Sequence, residues 1–74
     1  FLNEWEKMIT IGHQAKEFYP DSAEIDFRIA GCYRRLSLLN EAEFFIQDLR
    51  KNKKDPPENL LNLFPEFKTI FKVS

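Results

Sequence analysis

Two apolar stripes with the period of an α-helix lie in the middle of the chain and constrain its fold more than any other feature. The first stripe is Ile29, Ala30, Tyr33 and Leu36, and the second is Leu39, Ala42, Phe45, Ile46 and Leu49. These spacings place each stripe on one face of a helix, whereas the residues of a half-buried strand would alternate. Only Ser37 and Leu38 separate the stripes, so the two helices are expected to lie side by side and antiparallel.

The sequence also resembles itself when it is shifted by one helical-repeat length, about 34 residues. The aligned pairs are Leu2 with Leu36, Trp5 with Leu39, Met8 with Ala42, Ile11 with Phe45, and Ala15 with Leu49. A period of this length built from helix–turn–helix units is typical of stacked helical repeats. The pattern therefore predicts an all-α chain that contains parts of more than one repeat.

The residues that recur resemble the tetratricopeptide repeat, whose pattern is W-x2-L-G-x2-Y, then A-x3-F, then P. The matching positions are Ile29-Ala30-x2-Tyr33, Ala42-x3-Ile46 and Pro56, with an earlier partial copy at Met8-x3-Gly12 and Pro20. Asp26 stands in the first aromatic slot, where the sequence departs from the family. The resemblance covers roughly residues 2–56. It implies antiparallel helix pairs stacked as part of a right-handed α–α superhelix, and a function in protein binding.

Turn and capping signals divide the chain into three parts. Residues 1–20 are interpreted as the second helix of a truncated repeat, residues 21–56 as a complete helix pair, and residues 57–74 as one or two C-terminal capping helices. Pro65 would clash with the preceding turn of a helix, so the tail is expected to kink or split there. Because the chain begins inside a repeat, we expect it to be a fragment of a longer protein.

Helix starts are predicted from capping boxes, in which two side chains satisfy each other's free backbone amides. The three boxes are Asn3 with Glu6, Asp21 with Glu24, and Asp55 with Glu58. Together with the apolar stripes, the turn at Ser37 and Leu38, and Pro65, they predict helices over about 4–18, 22–36, 39–52, 58–64 and 65–72. The predicted core is Trp5, Met8, Ile9, Ala15, Ile29, Ala30, Tyr33, Leu36, Leu39, Ala42, Phe45, Ile46, Leu49, Leu63 and Phe67. Gly12 lies in mid-helix, where a close approach by a neighbouring backbone is expected.

Length and composition bound the remaining possibilities. A chain of 74 residues buries only about 60% of its unfolded surface, so it is expected to be marginal alone, to oligomerise, or to need the missing repeats. No apolar run approaches the roughly 20 residues that a membrane span requires. The net charge of −1 argues against a general polyanion binder. The compartment stays open between the cytoplasm and a bacterial envelope, the second suggested by the Tyr19–Ser22 turn.

The residues that could carry chemistry are few. His13 is the single histidine and has no partner at a metal-ligand or triad spacing, which favours a surface position. Cys32 adjoins the first stripe and is interpreted as a small packing residue. The sequence lacks a glycine-rich phosphate loop, and its acid pairs are explained by capping. We therefore predict that the chain is not an enzyme and takes no cofactor and no metal.

A binding groove is predicted on the face opposite the first stripe. Its residues are Glu24, Phe27, Gly31, Arg34 and Arg35. In tetratricopeptide arrays the first helices line the concave groove, so the resemblance implies an apolar anchor at Phe27 and a notch at Gly31. The two arginines would hold an acidic or C-terminal carboxylate group of a partner peptide or subunit, because a guanidinium can bond a carboxylate at two points. The alternative is that the arginines are solvated and Phe27 packs on the next repeat.

Two other functions are weighed against this interaction scaffold. Arg50, Lys51, Lys53 and Lys54 form a basic cluster that, with the other arginines, raises the possibility of an RNA-binding helical repeat. The balanced charge and the protein-binding type of repeat disfavour nucleic acid, and cations at a helix end also suit the helix dipole. The third function is a purely structural spacer in a larger assembly, whose groove would be filled by its own chain.

Overall fold

The computed structural model of the chain describes residues 2–72 and the side chains of residues 4–72. The described part contains five helices and no strand. In chain order these are α1 (Leu2–Phe18), α2 (Ala23–Arg35), α3 (Leu39–Lys51), α4 (Glu58–Leu63) and α5 (Phe67–Ile70). The prediction of an all-α chain with helices packed against each other is confirmed. No helix among residues 2–72 is long and apolar enough to cross a membrane.

Helix α2 is central, and α1 and α3 pack on two of its sides while α4 packs on a third. Because it is covered on several sides, five of its residues are buried. They are Phe27, Ile29, Ala30, Gly31 and Cys32. A helix with one buried face would not hide consecutive positions in this way. The prediction of a single buried stripe on α2 therefore understates how much of this helix is enclosed.

The start of α2 differs in detail from the prediction. Ser22, not Asp21, is the N-cap, and its hydroxyl accepts a hydrogen bond of 3.4 Å from the backbone N–H of Ile25. Asp26, which departs from the repeat pattern, lies with Oδ1 2.9 Å from the Nζ of Lys16 on α1. The two groups form an ion pair, and the Lys16 ammonium also donates a hydrogen bond of 2.8 Å to the backbone carbonyl of Pro20. This pair joins the two helices beside their turn.

Helix α1 packs most closely on α2 at Gly12. A Cβ atom added to Gly12 would lie 2.7 Å from Cγ1 of Ile29, so the close neighbour is a side chain and not the backbone that the sequence suggested. The capping box predicted at Asn3 falls on a residue inside α1, which begins at Leu2. The side chain of Asn3 lies outside the described residues.

The turn between α2 and α3 contains a residue in the left-handed backbone conformation. Ser37 has φ 61°, its N–H donates to the carbonyl of Arg34, and the next N–H, of Leu38, donates to Tyr33. These two bonds make a Schellman motif, which satisfies carbonyls that a helix end leaves unpaired. The end of α3 repeats this motif, with Lys53 at φ 55°.

The C-terminal segment, residues 58–72, is split by Pro65 as predicted. Helix α4 ends before the proline, and α5 begins after it. The predicted cap at Asp55 is wrong, since Pro57 is the N-cap of α4 and no side chain caps that helix. The segment turns its apolar side chains inward, and Leu60, Phe64 and Phe67 are fully buried.

The core joins α2, α3, α4 and α5 in one cluster. Its members are Phe27, Ala30, Cys32, Ala42, Ile46, Leu49, Leu60, Phe64 and Phe67. Ile29 is buried as well, and Trp5, Met8, Ile9, Tyr33 and Phe45 are half-buried against the cluster. Leu39 and Leu63 were predicted to be buried, but they are 57% and 39% exposed, because no helix among residues 2–72 covers their sides of α3 and α4.

Candidate functional site

The groove predicted on α2 is covered by the C-terminal segment. Phe27 and Gly31 are buried, so the structure corrects the expectation that a partner could reach them. The ring of Phe64 fills the notch at Gly31, where an added Cβ would lie 2.6 Å from the ring carbons Cε2 and Cζ. Phe27 packs against Phe67 and Phe71, with ring centroids 5.8 and 4.9 Å apart. We call Phe27, Gly31 and Arg35 the α2 face.

Arg35 does hold an acidic group, but one that belongs to its own chain. Its Nη2 donates to a carboxylate oxygen of Glu66 at 3.3 Å and to the backbone carbonyl of Leu63 at 3.1 Å. The guanidinium also lies 5.9 Å from the ring centroid of Trp5 and 5.4 Å from that of Phe64. Since Leu63 is the last residue of α4, Arg35 pairs a free carbonyl at that helix end.

The other two predicted groove residues lie apart from the α2 face. Arg34 is half-buried, and its Nε has no hydrogen-bond partner among the described residues. Glu24 forms an ion pair of 3.1 Å with Arg28, one turn further along α2. The structure therefore brings Phe27, Gly31 and Arg35 together under the C-terminal segment and leaves Glu24 near the opposite end of the helix.

The energy of burial decides whether the C-terminal segment could leave the α2 face readily. Phe27, Phe64 and Phe67 have no exposed surface. Burial of one such side chain contributes about 1.5–3 kcal/mol, so exposing all three costs about 5–9 kcal/mol. That cost is comparable to the total stability of a small domain, about 5–15 kcal/mol. The α2 face is therefore part of the core and is not an open docking site.

An open apolar groove lies between α2 and α1. It has a volume of about 430 Å³ and is lined by Met8, Ile11, Gly12, Ala15, Glu24, Ile25 and Arg28. Ile11 on its rim is 62% exposed. The Glu24–Arg28 ion pair supplies both signs of charge along the α2 side. We call this surface the α1–α2 groove.

The repeat register relates the α1–α2 groove to a surface that is covered. Four residues of α1 line the groove, and a shift of 34 residues aligns each of them with a residue of α3. The pairs are Met8 with Ala42, Ile11 with Phe45, Gly12 with Ile46, and Ala15 with Leu49. Helix α2 packs along α3 there, and its Tyr33 stacks on Phe45 with ring centroids 6.0 Å apart. The α1 positions are thus the counterparts of positions that a helix buries elsewhere in this chain. The repeat spacing was the signal that could have identified this groove from the sequence.

The basic cluster is exposed at the end of α3. Arg50, Lys53 and Lys54 border a shallow hollow of about 200 Å³, together with Asp55, Ile70, Phe71 and Lys72. Lys51 is also exposed. The C-terminal segment therefore adds a fourth cation, Lys72, and an aromatic ring to this hollow.

His13 and Cys32 both take structural positions. His13 is exposed, and its Nε2 lies 3.1 Å from the hydroxyl of Tyr33. Cys32 is buried, and desolvation raises the pKa of its thiol to about 11, although the charges of Arg28 and Arg35 lower it in part. The thiol is therefore protonated at neutral pH, which does not suit a nucleophile or a metal ligand. The described residues contain no group of three potential metal ligands.

Comparison with protein-family models, curated proteins and solved structures finds no match to this chain. The function is therefore argued from the geometry of the surfaces described above.

Proposed function

We propose that this chain is a protein-interaction scaffold of the tetratricopeptide-repeat type, in which the α1–α2 groove binds an amphipathic helix of a partner protein. The observation that carries this proposal is the correspondence between the groove and the covered surface of α3. A surface whose repeat counterpart packs under a helix has the shape and polarity to accept a helix. Recognition of an amphipathic helix in an apolar groove is a common mode of peptide binding.

The chemistry of the groove specifies the partner helix. Its apolar stripe would lie over Met8, Ile11 and Ala15. A charged residue beside that stripe would meet Glu24 or Arg28, which are 49% and 39% exposed in their side chains. Exposed charges contribute little affinity, so they would mainly set the direction of the helix.

In this proposal the repeats form a stack that the C-terminal segment closes on one side. The segment covers the α2 face, which would otherwise expose apolar surface to solvent, and the α1–α2 groove stays open. Terminal repeats of helical arrays need such a cap, because each repeat buries its face on the next. The carboxylate-binding role predicted for Arg34 and Arg35 is replaced in the proposal by the pairing of Arg35 with Glu66.

The experiment that tests the proposal compares wild-type protein with two matched surface variants. Ile11→Asp places a charge in the groove, whereas Phe44→Asp places one on the outer side of α3, where Phe44 is 73% exposed. Proteins captured by affinity purification are compared, and each candidate partner helix is then titrated by calorimetry. We expect Ile11→Asp to weaken binding at least tenfold and Phe44→Asp to leave it unchanged. Equal affinity of all three proteins for the partner would refute the proposal.

A second candidate function is the binding of RNA or another polyanion at the basic cluster. The specific observation in its favour is that four cations, Arg50, Lys53, Lys54 and Lys72, border one hollow that also contains Phe71. Its test is fluorescence anisotropy with single-stranded RNA at increasing salt. A steep fall of affinity with salt, removed by Lys53→Ala with Lys54→Ala, would favour this function over the scaffold. The purely structural spacer is favoured if neither surface binds a partner.

A further inference from the structure

The C-terminal segment fits the α2 face through complementary shape and charge, and we propose that two copies of this chain exchange this segment. In the exchanged dimer the α2 face of each copy would bind residues 58–72 of the other. Phe64 would fill the notch at Gly31, and Glu66 would pair with Arg35, as they do within one chain. Each copy would then contribute three aromatic rings to the core of its partner.

The contacts that hold the segment are specific enough to be recognised from another chain. Gly31 leaves room for one aromatic ring edge, and a single Cβ there would collide with it. Arg35 donates hydrogen bonds to two groups of the segment, the carboxylate of Glu66 and the backbone carbonyl of Leu63 at the end of α4. None of these contacts depends on the covalent connection between α3 and α4.

The connection between α3 and α4 has the properties of a hinge. Residues 52–55 are exposed, and Lys53 adopts a left-handed conformation (φ 55°) that costs free energy in a residue other than glycine. Pro56 and Pro57 follow, and Pro57 is extended (φ −62°, ψ 155°). Two prolines stiffen the chain, so a rotation at Lys53 would carry the whole segment away as one unit. Exchange of an identical element in this way is a low-cost route to a dimer.

The balance between closed monomer and exchanged dimer depends on protein concentration. The contacts between the segment and the α2 face form in both states. The monomer is favoured by the effective concentration of its own segment, about millimolar for a short flexible linker, and by the hydrogen bonds of the Lys53 and Lys54 N–H groups to α3, which a rotation at Lys53 would break. We therefore expect the exchanged dimer when the full chain is refolded at about millimolar concentration, and monomer at micromolar concentration. A dimer of this kind would also carry two α1–α2 grooves.

The first test uses a pair of charge reversals in this chain. Arg35→Glu and Glu66→Arg each place like charges together within a monomer. In an exchanged heterodimer of the two variants, one site pairs the two reversed charges and the other site pairs the two original charges. Both sites therefore contain charges of opposite sign. The variants, one of them labelled with ¹⁵N, are mixed in denaturant, refolded at about 1 mM and weighed by native mass spectrometry. We expect about tenfold more heterodimer than either homodimer. A mixture that contains only monomers would overturn the proposal.

The second test repeats this design with shape instead of charge. Gly31→Ala crowds the ring of Phe64, and Phe64→Leu shortens that side chain. In their exchanged heterodimer, one site combines the Gly31→Ala substitution of one chain with the Phe64→Leu substitution of the other. The second site combines the original Gly31 with the original Phe64. We expect the mixture to give a heterodimer that melts at a higher temperature than either variant alone. A mixture in which each variant melts as it does alone, with no species of doubled mass, would contradict segment exchange independently of the charge reversals.

Discussion

The α2 face and the α1–α2 groove lie on two sides of the same helix, yet one is sealed and the other is open. Both are apolar and both contain a glycine that permits close approach. The α2 face is filled by Phe64 and Phe67, whereas the groove has only side chains from α1 and α2 along its walls. The difference lies in which complementary segment the chain can bring to each surface. The C-terminal segment, turned back by its prolines, reaches only one of them.

The largest effect is expected where the C-terminal segment fills the α2 face. Phe64→Ala should lower the free energy of unfolding by about 3–5 kcal/mol, because it removes a fully buried ring and leaves a cavity beside Gly31. Urea denaturation followed by circular dichroism measures the change. The matched control is Phe44→Ala, whose ring is 73% exposed. If the two variants lost the same stability, the α2 face would not be the sealed part of the core.

The two glycines should respond differently to the same substitution. Gly31→Ala should destabilise the fold by about 1–3 kcal/mol, since its Cβ would lie 2.6 Å from a fully buried ring. Gly12→Ala should cost less, since its closest neighbours are the Cγ1 and Cδ1 atoms of one Ile29 side chain. Both alanines gain about 1 kcal/mol of helix propensity, so the difference between them reports the packing. Thermal melts of both variants give the comparison, and the reverse order would contradict it.

The pH dependence of the free energy of unfolding should reflect the burial of the Cys32 thiol. Its thiol has a pKa of about 11 in the folded chain, above the ordinary value of 9.0, so the unfolded chain loses the proton first as pH rises. The contribution of this group to stability is therefore complete below about pH 9.0 and falls between that value and about 11. Between pH 7 and pH 10 we expect a loss of about 1–2 kcal/mol.

The control for this prediction is Cys32→Ala, measured by urea denaturation at both pH values. The variant loses some stability at every pH, but the part of the pH dependence due to the thiol should disappear. An unchanged difference between pH 7 and pH 10 would mean that another group causes it.

The smallest effect is expected in the open α1–α2 groove. Ile11→Ala should change the free energy of unfolding by less than about 0.5 kcal/mol, because Ile11 is 62% exposed and no element covers it. Chemical denaturation of the full chain measures this value. A loss of more than about 2 kcal/mol, the least that truncating a buried isoleucine to alanine usually costs, would show that Ile11 is buried in solution. A second copy could bury it in that way, and the groove would then not be free.

Local sequence patterns determined most of the secondary structure. The apolar spacing along α2 and α3 predicted two antiparallel helices, and the clash that proline makes with a preceding turn predicted the break at Pro65. These features depend on residues close together in the chain. Cys32 was correctly interpreted as a packing residue, since it adjoins the apolar stripe of Ile29, Ala30 and Tyr33.

The N-cap residues were less well predicted than the helices, because several residues near each helix start are suitable N-caps. Asp21 and Ser22 are both suitable N-caps, and the structure uses Ser22, the residue after the expected one. Before α4 the backbone at Pro57 takes the position expected for Asp55. A small shift along the chain changes which side chain reaches the free amides, and only the path of the backbone decides it.

The tertiary structure alone decided which faces are covered. Phe27 and Gly31 lie opposite the first apolar stripe, and a helix considered by itself would present them to solvent or to a partner. They are buried because the C-terminal segment, which is distant in the sequence, folds back onto them. Leu39 and Leu63 are exposed for the converse reason, that no element packs over them. The sequence thus determined the helices and their apolar positions, while burial depended on long-range contacts that helical period does not encode.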